Sequence, residues 1–182
     1  MSRKYKFGDS GNLYFISYSV VYWIDVFVRS VYREIIIDGW KYCQSNKGLE
    51  IYGWVIMPSH AHMIISSNKN KLQDIVRDMK GYSSQQLKKA IKENPVESRK
   101  EWMMWMMERS GRKNSNNGQW QFWQQNNKPI ELLNPEMFYQ KLNYIHDNPV
   151  KAGFVRKAED WLYSSAIDFY GSKGLIELAY IS

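Results

Sequence analysis

YGWVIMPSHAHMIISS, residues 52–67, carries two of the three histidines of the chain in the pattern His60-Ala61-His62. β-branched and apolar residues (Val55, Ile56, Ile64, Ile65) flank Pro58-Ser59 on both sides, so the stretch predicts β structure with a local bulge or bend at the proline. Side chains two apart on a strand share a face. His60 and His62 then present their imidazoles side by side while Ala61 turns away. Two neutral imidazoles so placed can chelate one divalent ion. The same pair also fits surface or hydrogen-bonded core histidines, so a second element has to decide.

That element is KLNYIHDNPVKAGF, residues 141–154, which holds the third histidine, His146. Upstream, Asn134-Pro135 is a cap followed by a first-turn proline, and Phe138, Leu142 and Ile145 continue at helical spacing as a buried stripe. Tyr144 lies beside that stripe. Asn148, four residues on, shares its helix face, so a phenol and a carboxamide reach one point in space. Pro149 disfavours helical geometry at Asn148 and predicts the helix end there. Taken alone, Tyr144 also fits a half-buried aromatic, and Asn148 a capping side chain.

Together, VIMPSHAHMII (residues 55–65) and YIHDNPVKAGFV (residues 144–155) resemble, in order and spacing, the metal-binding strand and nucleophile helix of the REP-associated tyrosine transposases. These are a branch of the single-tyrosine HUH nucleases, named for His, hydrophobic, His. The similarity runs through most of residues 12–170. It implies an α/β (α+β) fold with a ferredoxin-like or RRM-like antiparallel sheet of about four or five strands and helices packed on one face. It implies a single transposase-like HUH nuclease domain over residues 1–182. It further implies that Tyr144 attacks single-stranded or hairpin DNA, forming a 5′-phosphotyrosine link and freeing a 3′ hydroxyl that can later reseal it. The implied enzyme cleaves and rejoins DNA at hairpin-forming repeats. Two features depart from the family pattern: Ala61 is small for the hydrophobic slot, and residues 93–117 look like an insertion.

Phenol attack on a phosphodiester requires a polarised phosphate, an in-line trajectory and a stabilised leaving oxygen. A divalent metal on His60 and His62 serves the first and third needs. Asn148 is the best third ligand in the sequence, standing where other members of the wider group carry a glutamine. Magnesium prefers oxygen ligands and imidazoles suit manganese, so this mixed set is expected to accept either Mg2+ or Mn2+. No phosphate-cradling GxxxxGK[ST] motif occurs, in keeping with an ester exchange that needs no nucleotide. His146, two positions after Tyr144, points to another side of the helix and is assigned to support, DNA contact or packing. Two other readings share these residues: a nucleic-acid-binding protein whose catalysis has lapsed, and a metal-dependent hydrolase of small phosphoesters.

Outward from these blocks, residues 12–22 read as a first strand. Ser30 is expected to cap a helix over 31–45, with Ile35, Ile36, Trp40 and Cys43 as its stripe and Gly48 as its stop. Residues 70–94 predict one long helix, or two joined near Gly81. Its polar side carries Arg77 and Lys80 among other basic residues, either a solvated face or a phosphate track. Residues 97–109 (ESRKEWMMWMMER) predict a helix whose Met and Trp band packs on the core or on a partner chain, so a homodimer is an expectation. In the polar loop 110–119, Arg112 and Lys113 are candidates to meet DNA. Residues 120–125 (WQFWQQ) alternate as a strand would, with Trp120 and Phe122 on one face as a base-stacking platform or core. Residues 158–170 suggest one more helix, and the end a strand or tail.

The formal net charge of +7 produces a field that attracts polyanions, with nucleic acid the leading partner. The 44% hydrophobic content is that of a globular chain, and one cysteine, Cys43, allows no internal disulfide and fits a reducing cytoplasm. No apolar run is long enough for a membrane span, and residues 1–10 lack the apolar centre of a signal peptide.

Overall fold

The β-branched and aromatic run after residue 12 forms the central strand β1 (Tyr14–Ser19) of the computed structural model, which describes residues 7–114, 118–125 and 128–180. Residues 115–117 of the expected polar loop and Asn126-Asn127 of the expected turn lie outside the described residues. Helix α1 (Ser30–Lys47) follows, then β2 (Leu49–Ile56), β3 (His60–Ser67), α2 (Leu72–Glu93), α3 (Lys100–Arg112), β4 (Ile130–Glu131), α4 (Pro135–Lys151) and the short α5 (Ala166–Phe169). The sheet order is β2-β3-β1-β4 with every neighbouring pair antiparallel, the ferredoxin-like order. Pro58-Ser59 is neither a bulge nor a bend within one strand. It is the turn of the β2–β3 hairpin, closed by Met57 N–H donating to the His60 carbonyl at 2.8 Å.

Alternation along the strands divides the core. Tyr14, Ile16, Tyr18, Trp54, Met63 and Ile65 face α1, α2 and α3. Phe15, Val55 and Ile64 face the other way and meet Phe138, Leu142 and Ile145 of α4. Helices therefore cover both faces of the sheet, not one as expected. The reason is in the register: with β1 and β3 apolar on alternate residues of both faces, each face needs its own cover.

Helix boundaries follow local chemistry. Ser30 is the first residue of α1 and does not cap it; Arg29 occupies the cap position without a side-chain bond. Gly48 ends the helix with φ of 74°, its N–H reaching the Cys43 carbonyl. α2 runs unbroken through Gly81, which lies in open space. α3 starts later than expected because Glu97 is withdrawn into the protein. Burial would raise its carboxyl, but Arg29 at 2.7 Å and Arg99 hold it below the usual range. Its Met band splits: Met103 and Met107 are in the core, while Trp102 and Trp105 are exposed.

α4 is capped as read, the Asn134 side chain accepting from Met137 N–H at 2.9 Å. It does not stop at Asn148, because Pro149 sits inside its last turns, where a proline loses only one backbone bond, and Gly153 then turns the chain with φ of 77°. Residues 120–125 make no strand; Trp123 forms a single bridge to Val20, and the fourth strand is Ile130–Glu131. The predicted helix over 158–170 is broken into a 3-10 turn at Ala158–Asp160 and α5. Beyond it the chain runs extended, Ala179 N–H donating to the Ile51 carbonyl at 2.8 Å.

Between β1 and α1 the chain makes a turn in which Tyr22 and Trp23 have φ of 55° and 56°. Each such residue costs roughly 1–2 kcal/mol when it is not glycine. The turn is held by buried Val20, Val21, Ile24, Val26 and Phe27 on both sides.

Candidate active site

α4 can lie close against the sheet because β2 has Gly53 beneath it; a Cβ there would meet Leu142 Cδ1 at 2.6 Å. With Phe138, Leu142, Ile145 and Pro149 turned inward, the edge of the helix presents Lys141, Tyr144 and Asn148, three and then four residues apart. β3 supplies the other half. His62 pairs across to Ser17 and His60 to Ser19, so both imidazoles stand on the α4 face.

The two halves meet. The Tyr144 ring lies 5.1 Å from that of His62, edge to face, and His62 lies 4.9 Å from His60. Phe15 supports both, stacked on His62 at 5.5 Å and edge-on to Tyr144 at 5.9 Å. Tyr144 is 43% exposed, its ring half-buried and open to solvent at one side. Asn148 interacts with His60 as a hydrogen-bonding side chain, and the Ser59 hydroxyl lies 3.2 Å from His60 Nδ1. Lys141 Nζ stands 5.0 Å from the Phe15 ring centroid and 5.9 Å from that of Tyr144.

Burial, then the neighbouring His60 and Lys141, push the His62 imidazole down to about 3. Burial lowers His60 too, opposed by Asn148. Both are thus neutral at neutral pH, the form that ligates a metal. Both ring nitrogens of His62 are buried without a hydrogen-bond partner among the described residues, an unusual state for polar atoms in a packed protein. No cluster of three His, Cys, Asp or Glu side chains occurs among the described residues. The donor set here is two imidazoles and the Asn148 carboxamide, which fits a divalent cation taking nitrogen and oxygen ligands.

The remaining sequence candidates are not brought to this point. His146 is buried on the far side of α4, its Nε2 2.9 Å from the Ser165 hydroxyl, which in turn accepts from Trp54 N–H at 2.9 Å. Two residues past Tyr144 is about 200° around the helix, so His146 points away from the phenol and ties α4 to β2 through Ser165. Phe122 is 1% exposed, packed against Phe27 and Trp123, and cannot stack on a base. Trp120 is half-buried under the Lys88 ammonium at 4.7 Å. Arg77 is paired with Asp74 and Asp78, and burial lowers Lys80 to about 8 as its Nζ approaches the Gln124 carbonyl. Both belong to α2, on the opposite face of the sheet. Arg112 pairs with Glu108 at 3.5 Å, and Lys113 is exposed at the end of α3, again away from α4.

Two residues at the site escaped the sequence reading. Lys141 was findable, since it precedes Tyr144 by three and Asn148 by seven and so shares their helix edge. Trp23 was not. Its ring lies 5.5 Å from His60 only because of the left-handed turn.

Four antiparallel strands in this order, with α1 and α2 as the crossovers on one face, form the ferredoxin-like arrangement, to which α4 adds cover on the second face. The same fold is found in a solved REP-associated tyrosine transposase bound to a REP hairpin, at 18% identity and a TM-score of 0.62, covering 100% of this chain and 94% of that one. A crystal structure from Deinococcus radiodurans R1, described as a transposase, is matched at 18% identity and a TM-score of 0.44, over 81% of this chain and 94% of that one. No curated protein matches the chain. Residues 16–109 match the family described as "Transposase IS200 like", and the chain belongs to that family.

Proposed function

We propose that this chain is a single-strand DNA endonuclease and transesterase, acting on hairpin-forming DNA through a phosphotyrosine intermediate. The observation that carries the reading is the meeting of Tyr144 with the His60–His62 pair, delivered by two segments far apart in sequence. Tyr144 Oη would form a bond to phosphorus as the P–O3′ bond breaks. The phenolic proton goes to solvent, and the electron pair leaves with the 3′ oxygen, which takes up a proton in turn. Since one ester replaces another, the freed 3′ hydroxyl can attack the phosphotyrosine and restore the strand.

His60, His62 and Asn148 would hold a divalent cation, Mg2+ or Mn2+. Bound there, such a cation supplies Lewis-acid stabilisation of charge on the phosphate oxygens. Phe15 and the buried stripe of α4 fix the Tyr144 ring, so little orientation remains to be lost on attack. Lys141 adds positive charge beside the phenol and the phosphate.

Incubation with labelled hairpin DNA and manganese is expected to yield a denaturation-resistant protein–DNA adduct. Tyr144→Phe should abolish it and leave DNA binding intact. Adducts at unchanged yield in Tyr144→Phe would assign the nucleophile elsewhere.

A further inference from the structure

Four rings form a row across the site. From Tyr144 to His62, His60 and Trp23 the centroids are 5.1, 4.9 and 5.5 Å apart, and each ring meets the next at 70–74°. The histidine pair is in the middle. The phenol stands at one end and the indole at the other.

Trp23 is 59% exposed, among the most open of the large apolar side chains, on a segment anchored by the buried Val20, Val21, Ile24, Val26 and Phe27. Its backbone is not a loose loop. Val20 N–H donates to the Ser59 carbonyl and Val21 N–H to that of Phe122, both at 2.8 Å; Trp23 N–H donates to Val20, and Phe27 N–H to Pro58 at 2.8 Å. The turn is thus bolted to the hairpin that carries His60, with Tyr22 and Trp23 held in a conformation that non-glycine residues seldom adopt. A large apolar ring is fixed in water at the edge of a proposed phosphate site, within a strained backbone that a glycine would relax. Such an arrangement has the chemistry of a stacking platform for a nucleobase, not of a core residue out of place.

We propose that Trp23 stacks on a base of the bound single strand, on the 5′ side of the phosphodiester held over the His60–His62 pair. The side follows from in-line displacement. Tyr144 approaches phosphorus from one direction and the departing 3′ oxygen lies opposite, so the nucleotide that leaves extends away from Tyr144, toward Trp23. This assignment rests on the transesterase reading for the side, while the stacking itself stands apart from catalysis.

The test is therefore made first without cleavage. In the Tyr144→Phe protein, binding of a fluorescent mixed-sequence single-stranded 20-mer is compared with that of an abasic strand of equal charge. Trp23→Ala should weaken binding of the base-bearing strand about tenfold and leave the abasic strand unchanged. Trp23→Phe should restore most of the loss. Trp23→Gly, which relaxes the turn, should fold as well as the parent and bind as poorly as Trp23→Ala. Equal affinities for the base-bearing strand with and without the indole overturn the proposal. So does an equal loss on both strands, which would mean that Trp23 acts only through His60. With Tyr144 present, Trp23→Ala should release the 3′-hydroxyl fragment faster from each adduct formed. Release of that fragment at the same rate with and without the indole would overturn the side assigned. A wild-type protein that yields no adduct but loses base-dependent binding on Trp23→Ala would sink the transesterase reading and keep the platform.

Discussion

Lys141 brings a positive charge beside the Phe15 and Tyr144 rings, at the edge where an attacking oxygen and a phosphate would meet. Lys141→Met is expected to slow single-turnover adduct formation about tenfold, the effect of removing one partly exposed charge from a developing anion. Lys141→Arg should retain most of the rate; equal rates for Lys141→Met and wild type would remove this residue from the site. His146 works through structure. Burial lowers its imidazole from 6.5 to about 4, partly opposed by Asp147. The unfolded chain therefore binds this proton first as pH falls. His146 contributes stability that is fully present above pH 6.5, is lost between 6.5 and about 4, and loses nothing further below. The whole span corresponds to roughly 3 kcal/mol, with His62 adding in the same direction. Urea melts from pH 7 to 4 should show this decline, less steep in His146→Gln; parallel profiles would refute the assignment. At this scale the sequence was informative where spacing alone sufficed. His60, His62, Tyr144 and Asn148 share faces by simple periodicity, and their meeting in space follows from two elements packing once. Trp120 and Phe122 looked like a platform by alternation, yet alternation cannot tell which side of a segment is the protein's interior.

The elements show where local rules hold and where the fold overrides them. Asn134 accepts from Met137 N–H and fixes the first turn of α4, the helix that carries the phenol. Asn134→Ala should lower stability by about 1 kcal/mol, measured by urea denaturation, with the adduct yield per folded molecule unchanged. The start of α4 was legible because the cap and the proline act within four residues. Its end was not: Pro149 loses its bond to the preceding turn, but the burial of its ring keeps the helix going. The β2–β3 hairpin was partly legible. Its two strands were seen as one because Pro58-Ser59 gives no length of loop, only a two-residue reversal. The alternation over 120–125 reads as a strand that does not form, while β4 at Ile130–Glu131 is too short an edge strand to offer alternation to read.

In the molecule as a whole, the sheet separates two surfaces of different use. α1, α2 and α3 stand on one face, α4 and the ring row on the other, so the basic residues of α2 are far from the proposed chemistry despite their regular spacing. Arg77→Ala is expected to change single-strand affinity less than twofold and to leave the salt dependence of binding as it was. A drop in the slope of log K against log salt by about one would instead place a phosphate on α2. Among the described residues no helix is long and apolar enough to cross a membrane. The Pro58-Ser59 turn has a role beyond reversing the chain, for its two carbonyls receive the N–H groups of Phe27 and Val20 that suspend the indole-bearing turn. The proposed base platform and the proposed cation ligands would therefore both hang from one pair of neighbouring peptide groups. Swapping the residues between Val20 and Phe27 would then retune the choice of strand and the poise of the imidazoles in a single stroke.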